Sequence, residues 1–340
     1  MRYLGVDLHK REFTVCYMDS SEQYTTKNYQ MFQLRNFIQS LKPSDIIAVE
    51  STTNSYYFLS KTRPFVKEVK EVNPFQFKVI SSSVKKTDAH DAYLIALFLK
   101  NGLLPEVRQK TKEEKEILLL AKTRDSLVKD RTALINRIHA ALCACGIELK
   151  KEGLMHKKNL EGLLELPMDE FTKTAIKSLV PIIITINGSL KELEKEIVSK
   201  GKTTKGFECI NSIKGVGDLS STILLAVIGN IDDFKTPNKL DSYIGLVPSV
   251  RNSADTERSG RITKRGNKLA RTVLIQCAYV VIRYSPYFKS FYEKLKAKKG
   301  NGKAIVATAR KLLNLIYYTL KKNWVFEDFA AFKKKEKSEF

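Results

Sequence analysis

The sequence contains no run of about 18 uninterrupted apolar residues, so no membrane-spanning helix is expected. It has five cysteines and no Cys-x-x-Cys pair, which argues against a disulfide framework or a zinc ribbon. Cys143 and Cys145 are two apart in a helical pattern and so face different sides. The four histidines, His9, His90, His139 and His156, are scattered and offer no zinc constellation. No Gly-x-x-x-x-Gly-Lys-Ser/Thr loop is present, so the phosphate cradle of P-loop nucleoside triphosphatases is not expected. The N-terminus enters a strand at once, without the apolar core of a signal peptide, and the reducing cytoplasm is the expected compartment.

Acidic residues are also scarce: 37 Asp and Glu stand against 59 Lys and Arg, for a formal charge of +22. An excess of that size speaks to partners and not to fold, and it favours a polyanion. It is concentrated late in the chain, where residues 251–340 hold 22 Lys and Arg against 7 Asp and Glu. With 340 residues, 43% hydrophobic and 28% charged, the chain is long enough for two or three globular domains.

The N-terminal pattern is α/β. Tyr3, Leu4, Val6 and Leu8 form a short apolar strand, Glu12–Asp19 alternates, and Gln23–Met31 is a more polar partner, as in an antiparallel meander. Leu34, Phe37, Ile38 and Leu41 repeat at helical spacing until Pro43. Strand Ile46–Glu50, a helix around Tyr56, Tyr57 and Leu59, strand Phe65–Val72 and a short helix from Pro74 follow. This order is that of the RNase H-like (RuvC-like) fold.

Four carboxylates stand out in it. Asp7 lies inside the first strand, where a buried charge is costly unless a cation or hydrogen bonds compensate it. Glu50 ends the fourth strand. Thr87 is placed to cap a helix over 88–99, which sets Asp88 and Asp91 one turn apart on one face. Two strand carboxylates plus an i, i+3 pair is the wiring of a two-metal phosphodiester site. Hard carboxylate ligands suit Mg²⁺, with two ions expected.

From about Lys110 the pattern becomes helical. Leu120-Ala121, Leu127-Val128, Leu134-Ile135 and Ala141-Leu142 recur every seven residues, and Ile176, Leu179, Ile183, Ile186, Leu190, Leu193 and Ile197 alternate steps of three and four. That spacing suits a coiled-coil oligomerisation arm, with an intramolecular helical hairpin as the alternative and a kink expected at Pro181 and Gly188. Lys214-Gly-Val-Gly217 resembles the turn of a helix-hairpin-helix. A polar, basic loop is expected over 248–267, where Arg258, Arg261, Lys264, Arg265, Lys268 and Arg271 suit a phosphate backbone. Helices over 268–283 and 303–322 close the domain, joined by a basic linker at Lys294–Lys299, and Lys333–Lys337 reads as a frayed tail.

These motifs together resemble the DEDD-type transposases of bacterial insertion sequences, recombinases guided by a structured bridge RNA. Gly5-Val-Asp7-Leu-His9-Lys10 is similar to the family's opening motif, Glu50 to its second acid, and Lys86-Thr-Asp88-Ala-His-Asp91-Ala to its Lys-Thr-Asp-x-x-Asp-Ala signature. Arg131–His139 is similar to its long helix. Tyr243-Ile-Gly-Leu-Val-Pro248, Ser253 and Gly260-Arg-Ile-Thr-Lys-Arg-Gly-Asn267 are similar to its transposase domain. The resemblance places a nucleophilic serine at Ser253, in the context Ser253-Ala-Asp255 where relatives often have Ser-x-Gly, with Ser249 and Ser259 as alternatives.

The implied division is a DEDD catalytic domain at 1–105, a helical coiled-coil region at 106–200, a transposase domain at 201–330 and a tail at 331–340. The implied activity is DNA cutting and rejoining through phosphoserine by a bacterial, cytoplasmic enzyme. Its implied partners are donor and target DNA and a noncoding guide RNA, with Lys86 among the nucleic-acid-binding residues, and further copies of the chain, as a dimer or a synaptic tetramer. A guide-free DNA invertase and a RuvC-like endonuclease are the competing readings.

Overall fold

The computed structural model describes residues 1–80, 87–150, 153–154, 157–253 and 256–327. The chain forms two compact units, Met1–Gln109 and Lys110–Phe340.

The first unit is built on a five-stranded sheet. Its elements are β1 (Tyr3–Leu8), β2 (Glu12–Met18), β3 (Tyr24–Gln30), α1 (Leu34–Gln39), β4 (Ile46–Glu50), α2 (Ser55–Thr62), β5 (Glu68–Val72), α3 (Pro74–Ile80) and α4 (Asp88–Lys100). The strand order is β3-β2-β1-β4-β5. β1, β2 and β3 form the expected antiparallel meander, and β4 and β5 add in parallel on the other side of β1. Period-two alternation divides the side chains between two cores. Leu4, Val6, Leu8, Phe13, Val15, Ile47 and Val49 face α1 and α2, where Phe13, Phe37 and Phe58 meet ring to ring. Cys16, Met18, Ile46 and Ala48 face α4 through Ala92, Ile95, Ala96 and Leu99. At the sheet's other end Asp45, with no exposed surface, is held by Arg2 through Nε at 3.0 Å and Nη2 at 2.7 Å.

The second unit contains α5 (Lys112–Ala144), α6 (Lys157–Glu161), α7 (Glu170–Lys202), α8 (Phe207–Asn211), α9 (Asp218–Ile228), α10 (Pro237–Ile244), strands β6 (Pro248–Ser253) and β7 (Thr256–Ile262), and helices α11 (Lys268–Tyr284), α12 (Pro286–Lys299) and α13 (Asn301–Lys321). A capping box at Thr111 and Glu114 opens α5, and Asp169 caps α7.

The heptad faces of α5 and α7 pack against each other within the chain. Leu134, Ile135, Ile138 and Leu142 meet Ile176, Val180 and Ile183, while Arg124 pairs with Glu194 and Lys200 with Glu116. This is the antiparallel hairpin geometry, and α7 runs unbroken through Pro181 and Gly188. Ile117, Leu118, Ala121 and Ile197 continue into one core with α8–α11 and α13, so the helical region and the C-terminal region share a core.

Two local expectations are corrected. The stretch from Pro248 is a β-hairpin and not a loop, with Val250 opposite Ser259 and Ser253 opposite Thr256. The segment Lys294–Lys299 is the last part of α12 and not a linker. Phe288 is buried, Tyr287, Phe291, Tyr292 and Leu295 are half-buried on the same helix, and the lysines face water. The tail Lys333–Lys337 lies outside the described residues.

Candidate active site

The four acids converge at one end of the sheet in the first unit. β1 and β4 run parallel with Val6 opposite Val49, so the next step along each strand sets Asp7 beside Glu50 on one face. α4 crosses that face closely. A Cβ on Gly5 would lie 2.1 Å from the Ala92 carbonyl oxygen and 2.3 Å from the Ala96 nitrogen. Glycine at position 5 therefore permits backbone-to-backbone contact between β1 and the middle of α4. That contact carries the first turn of α4, with Asp88 and Asp91, to the mouth of β1. Thr87 caps the helix as expected, its hydroxyl accepting from the His90 amide at 3.2 Å.

Asp7 is buried at 9% exposure, while Asp88 is exposed and Glu50 and Asp91 are half-buried. Burial pushes the Asp7 carboxyl up from 3.8 to about 6. The charges of Asp88, Asp91 and Glu50 push the same way, and His9 opposes them. Crowded carboxylates of this kind are what a bound cation relieves.

One member of the group is not evident from the sequence. His9 Nε2 stands 3.3 Å from Asp7 Oδ2 and 3.6 Å from Asp88 Oδ2. Ligand atoms of Asp7, His9 and Asp88 all lie within 4.8 Å of one another. Glu50 and Asp91 act on Asp7 electrostatically but lie outside that tight group. The available signal is strand parity: residues 7 and 9 are two apart and project to the same face. An oxygen-rich cluster with one imidazole fits a divalent cation, and Asp7, Asp88, Glu50, Asp91 and His9 are the residues that could hold it.

The second unit carries the other expected site residues. Ser253 ends β6 beside the hairpin turn. The side chains of Ser253, Arg258 and Arg261, and all of Lys86, lie outside the described residues. Ser249 sits toward the root, its Oγ 2.4 Å from where a Cβ on Gly260 would be. The root itself is fixed. Thr263 N donates to the Val247 carbonyl at 2.9 Å, and the positive-φ residues Gly245 and Gly266 let the chain close on Arg265 and Tyr243.

Lys264, Arg265 and Lys268 are exposed beside that root, as a phosphate-binding row requires. Arg271 does not join them. It is 9% exposed and donates from Nη1 to the Ile244 carbonyl at 2.8 Å, so it clamps the end of α10 and does not stand out in the exposed row. The helix-hairpin-helix-like turn lies between α8 and α9. Gly215, at φ 103°, packs on Val281, whereas a Cβ on Gly217, at the head of α9, would meet nothing within 4 Å.

Comparisons with known proteins point to one kind of relative. Residues 4–146 match the family model for DEDD transposases of IS110 elements, and residues 207–293 match that of the IS116/IS110/IS902 transposase family. The chain is 28% identical over 328 residues to the transposase for insertion sequence element IS1111A of Coxiella burnetii, covering 94% of this chain and 90% of the relative. A probable family 20 transposase of Pseudomonas aeruginosa is 26% identical, with 82% of this chain and 84% of the relative covered. The pilin gene-inverting protein of Moraxella lacunata is 24% identical, with 96% and 97% covered. Two models of one family thus match the acid-bearing and the serine-bearing parts of the chain, which belongs to the IS110/IS116 family of transposases.

Proposed function

We propose that this chain cuts and rejoins DNA through a covalent phosphoserine at Ser253, with Asp7, Glu50, Asp88 and Asp91 holding divalent metal, two Mg²⁺ ions in the simplest form. The observation that carries this reading is the convergence of acids from β1, β4 and α4 around a buried Asp7. Bound divalent ions supply Lewis-acid polarisation of a scissile phosphate. Asp7, beneath the exposed Asp88, fixes the floor of the site, and the Gly5 contact fixes the helix that brings Asp88 and Asp91 to it.

A serine hydroxyl is a weak nucleophile and needs activation at the site where it reacts. In the proposed step the Ser253 oxygen attacks phosphorus and its proton passes to a base at the site, while the P–O bond to the 3′-oxygen breaks and that oxygen takes up a proton to leave as a 3′-hydroxyl. Attack by a 3′-hydroxyl on the phosphoserine then restores a phosphodiester and returns the serine. One bond is exchanged for another at each step, so no nucleoside triphosphate is consumed. Lys264, Arg265 and Lys268, with Arg258 and Arg261 on the hairpin, neutralise the phosphates of the approaching strand.

The serine and the acids reside in different units, which allows an active site completed between protomers. Self-association is proposed through residues 106–200, where the intramolecular hairpin leaves Leu119, Phe171 and Ile182 exposed. Guidance by a structured RNA encoded beside the gene is proposed from the family resemblance and the charge of +22. DNA inversion is the second reading, favoured by the near-full-length similarity to the pilin gene-inverting protein.

The test is recombination of DNA bearing the ends of the encoding element. Asp7→Ala and Asp88→Ala should lose cleavage while retaining DNA binding, and one abundant noncoding RNA should co-purify. Full cleavage by either variant contradicts the metal-site reading. Recovery of random cellular RNA only, with inverted product, favours the invertase.

A further inference from the structure

We propose that His9 is itself a metal ligand, through Nε2, and that its nitrogen tilts the acid site toward Mn²⁺ and away from Mg²⁺. This rests on the reading that the acids hold a divalent metal.

The geometry is that of a coordination edge. Neighbouring ligands on an octahedral ion with bonds of about 2.1 Å lie about 3.0 Å apart. His9 Nε2 is 3.3 Å and 3.6 Å from carboxylate oxygens of Asp7 and Asp88, two residues from different elements. The three ligand atoms, all within 4.8 Å of one another, can converge on one ion.

The backbone of His9 is held for that purpose from two directions. Its amide donates to the Glu12 carbonyl at 2.9 Å, and its carbonyl accepts from Asn54 Nδ2 at 2.9 Å. Asn54 follows Glu50 by four residues, so the strand that presents an acid also leads into the side chain that anchors the backbone of His9. These two bonds fix the backbone from which the imidazole reaches toward Asp7 and Asp88.

The ligand type decides the preference. Mg²⁺ is a hard ion that takes oxygen and gives up water reluctantly. Imidazole suits the later divalent ions, and Mn²⁺ accepts both nitrogen and oxygen in octahedral geometry. A site of four carboxylates alone carries no such bias. A site with Asp7, His9 and Asp88 at its centre does.

The experiment uses the full-length protein free of nucleic acid, with Mn²⁺ alone as probe and Mg²⁺ as competitor. Pulsed electron paramagnetic resonance of the bound Mn²⁺ should show a directly coordinated nitrogen. His9→Gln, which offers only an amide, should lose that nitrogen signal and lower the Mn²⁺-over-Mg²⁺ affinity ratio by about tenfold. Asp7→Asn should lose the Mn²⁺ site altogether. Mn²⁺ bound without nitrogen coupling, or an unchanged ratio in His9→Gln, overturns the role of His9 and leaves the acid site standing. Absence of Mn²⁺ binding in the unaltered protein, or full binding in Asp7→Asn, overturns both.

Discussion

Asp7 is a liability to the metal-free fold, and the size of that liability is measurable. Its carboxyl is raised from 3.8 to about 6, chiefly by burial. At about 1.4 kcal/mol per pH unit the difference amounts to about 3 kcal/mol. Water reaches the site past His9, whose side chain is 51% exposed, and screening reduces the figure to about 1–2 kcal/mol.

The sign follows from linkage. The folded state binds the Asp7 proton more tightly than the unfolded state does. The resulting stability is fully present below pH 3.8 and is lost as the pH rises through about 6. Asp7→Asn removes the charge and keeps the shape. In chelator at pH 7.5 it should raise the melting temperature of the N-terminal unit by about 4–10 °C. The gap should close as the pH falls toward 4. Divalent metal should reverse the order, because only the unaltered site gains stability from binding it. Thermal melts followed by circular dichroism at several pH values, with and without metal, make the measurement. A variant no more stable than the unaltered protein at pH 7.5, or a gap that persists at pH 4, refutes the reasoning.

Gly5→Ala drives a Cβ to 2.1 Å from the Ala92 carbonyl and should cost about 3 kcal/mol or more, read as a lowered urea midpoint together with weakened metal binding. Arg271→Ala strips the Ile244 carbonyl of its donor and should cost about 1–3 kcal/mol, while the salt dependence of DNA binding stays unchanged. Replacing Lys264, Arg265 and Lys268 together by alanine should do the opposite: stability holds, and the slope of log affinity against log salt falls by about 0.9 for each phosphate no longer neutralised.

The N-terminal half of the site is legible in the sequence because its signals are local. Apolar runs of strand length, a carboxylate inside one strand and another at the end of a second, and Thr87 ahead of Asp88 and Asp91 are features of adjacent residues, and all recur in the fold. His9 is not, because a lone histidine announces nothing until Asp88, 79 positions on, is folded against it. Gly5 is silent for the same reason, since its role is a tertiary approach by α4.

The hairpin β6–β7 reads as a loop in the sequence because a two-stranded ribbon need not bury a face. Its sequence, Pro248–Ile262, shows no sustained alternation of apolar and polar residues, the signal by which a strand is read. The lysines of α12 hide a helix whose buried residue, Phe288, is a single aromatic and not part of an aliphatic repeat. Charge alone groups Arg271 with its basic neighbours. Its position one turn into α11 turns it inward, toward the end of α10.

The central claim is that a serine of the β6–β7 hairpin becomes covalently joined to DNA in a reaction that depends on the acids of the other unit. The most direct measurement is denaturing electrophoresis of labelled element-end DNA after reaction, followed by peptide mapping of the protein-linked species. The account predicts a DNA-linked peptide at Ser253, no adduct in Ser253→Ala, and none in the unaltered protein when divalent metal is chelated. An adduct at Ser249, Ser259 or a tyrosine, or an undiminished adduct in Ser253→Ala, contradicts it.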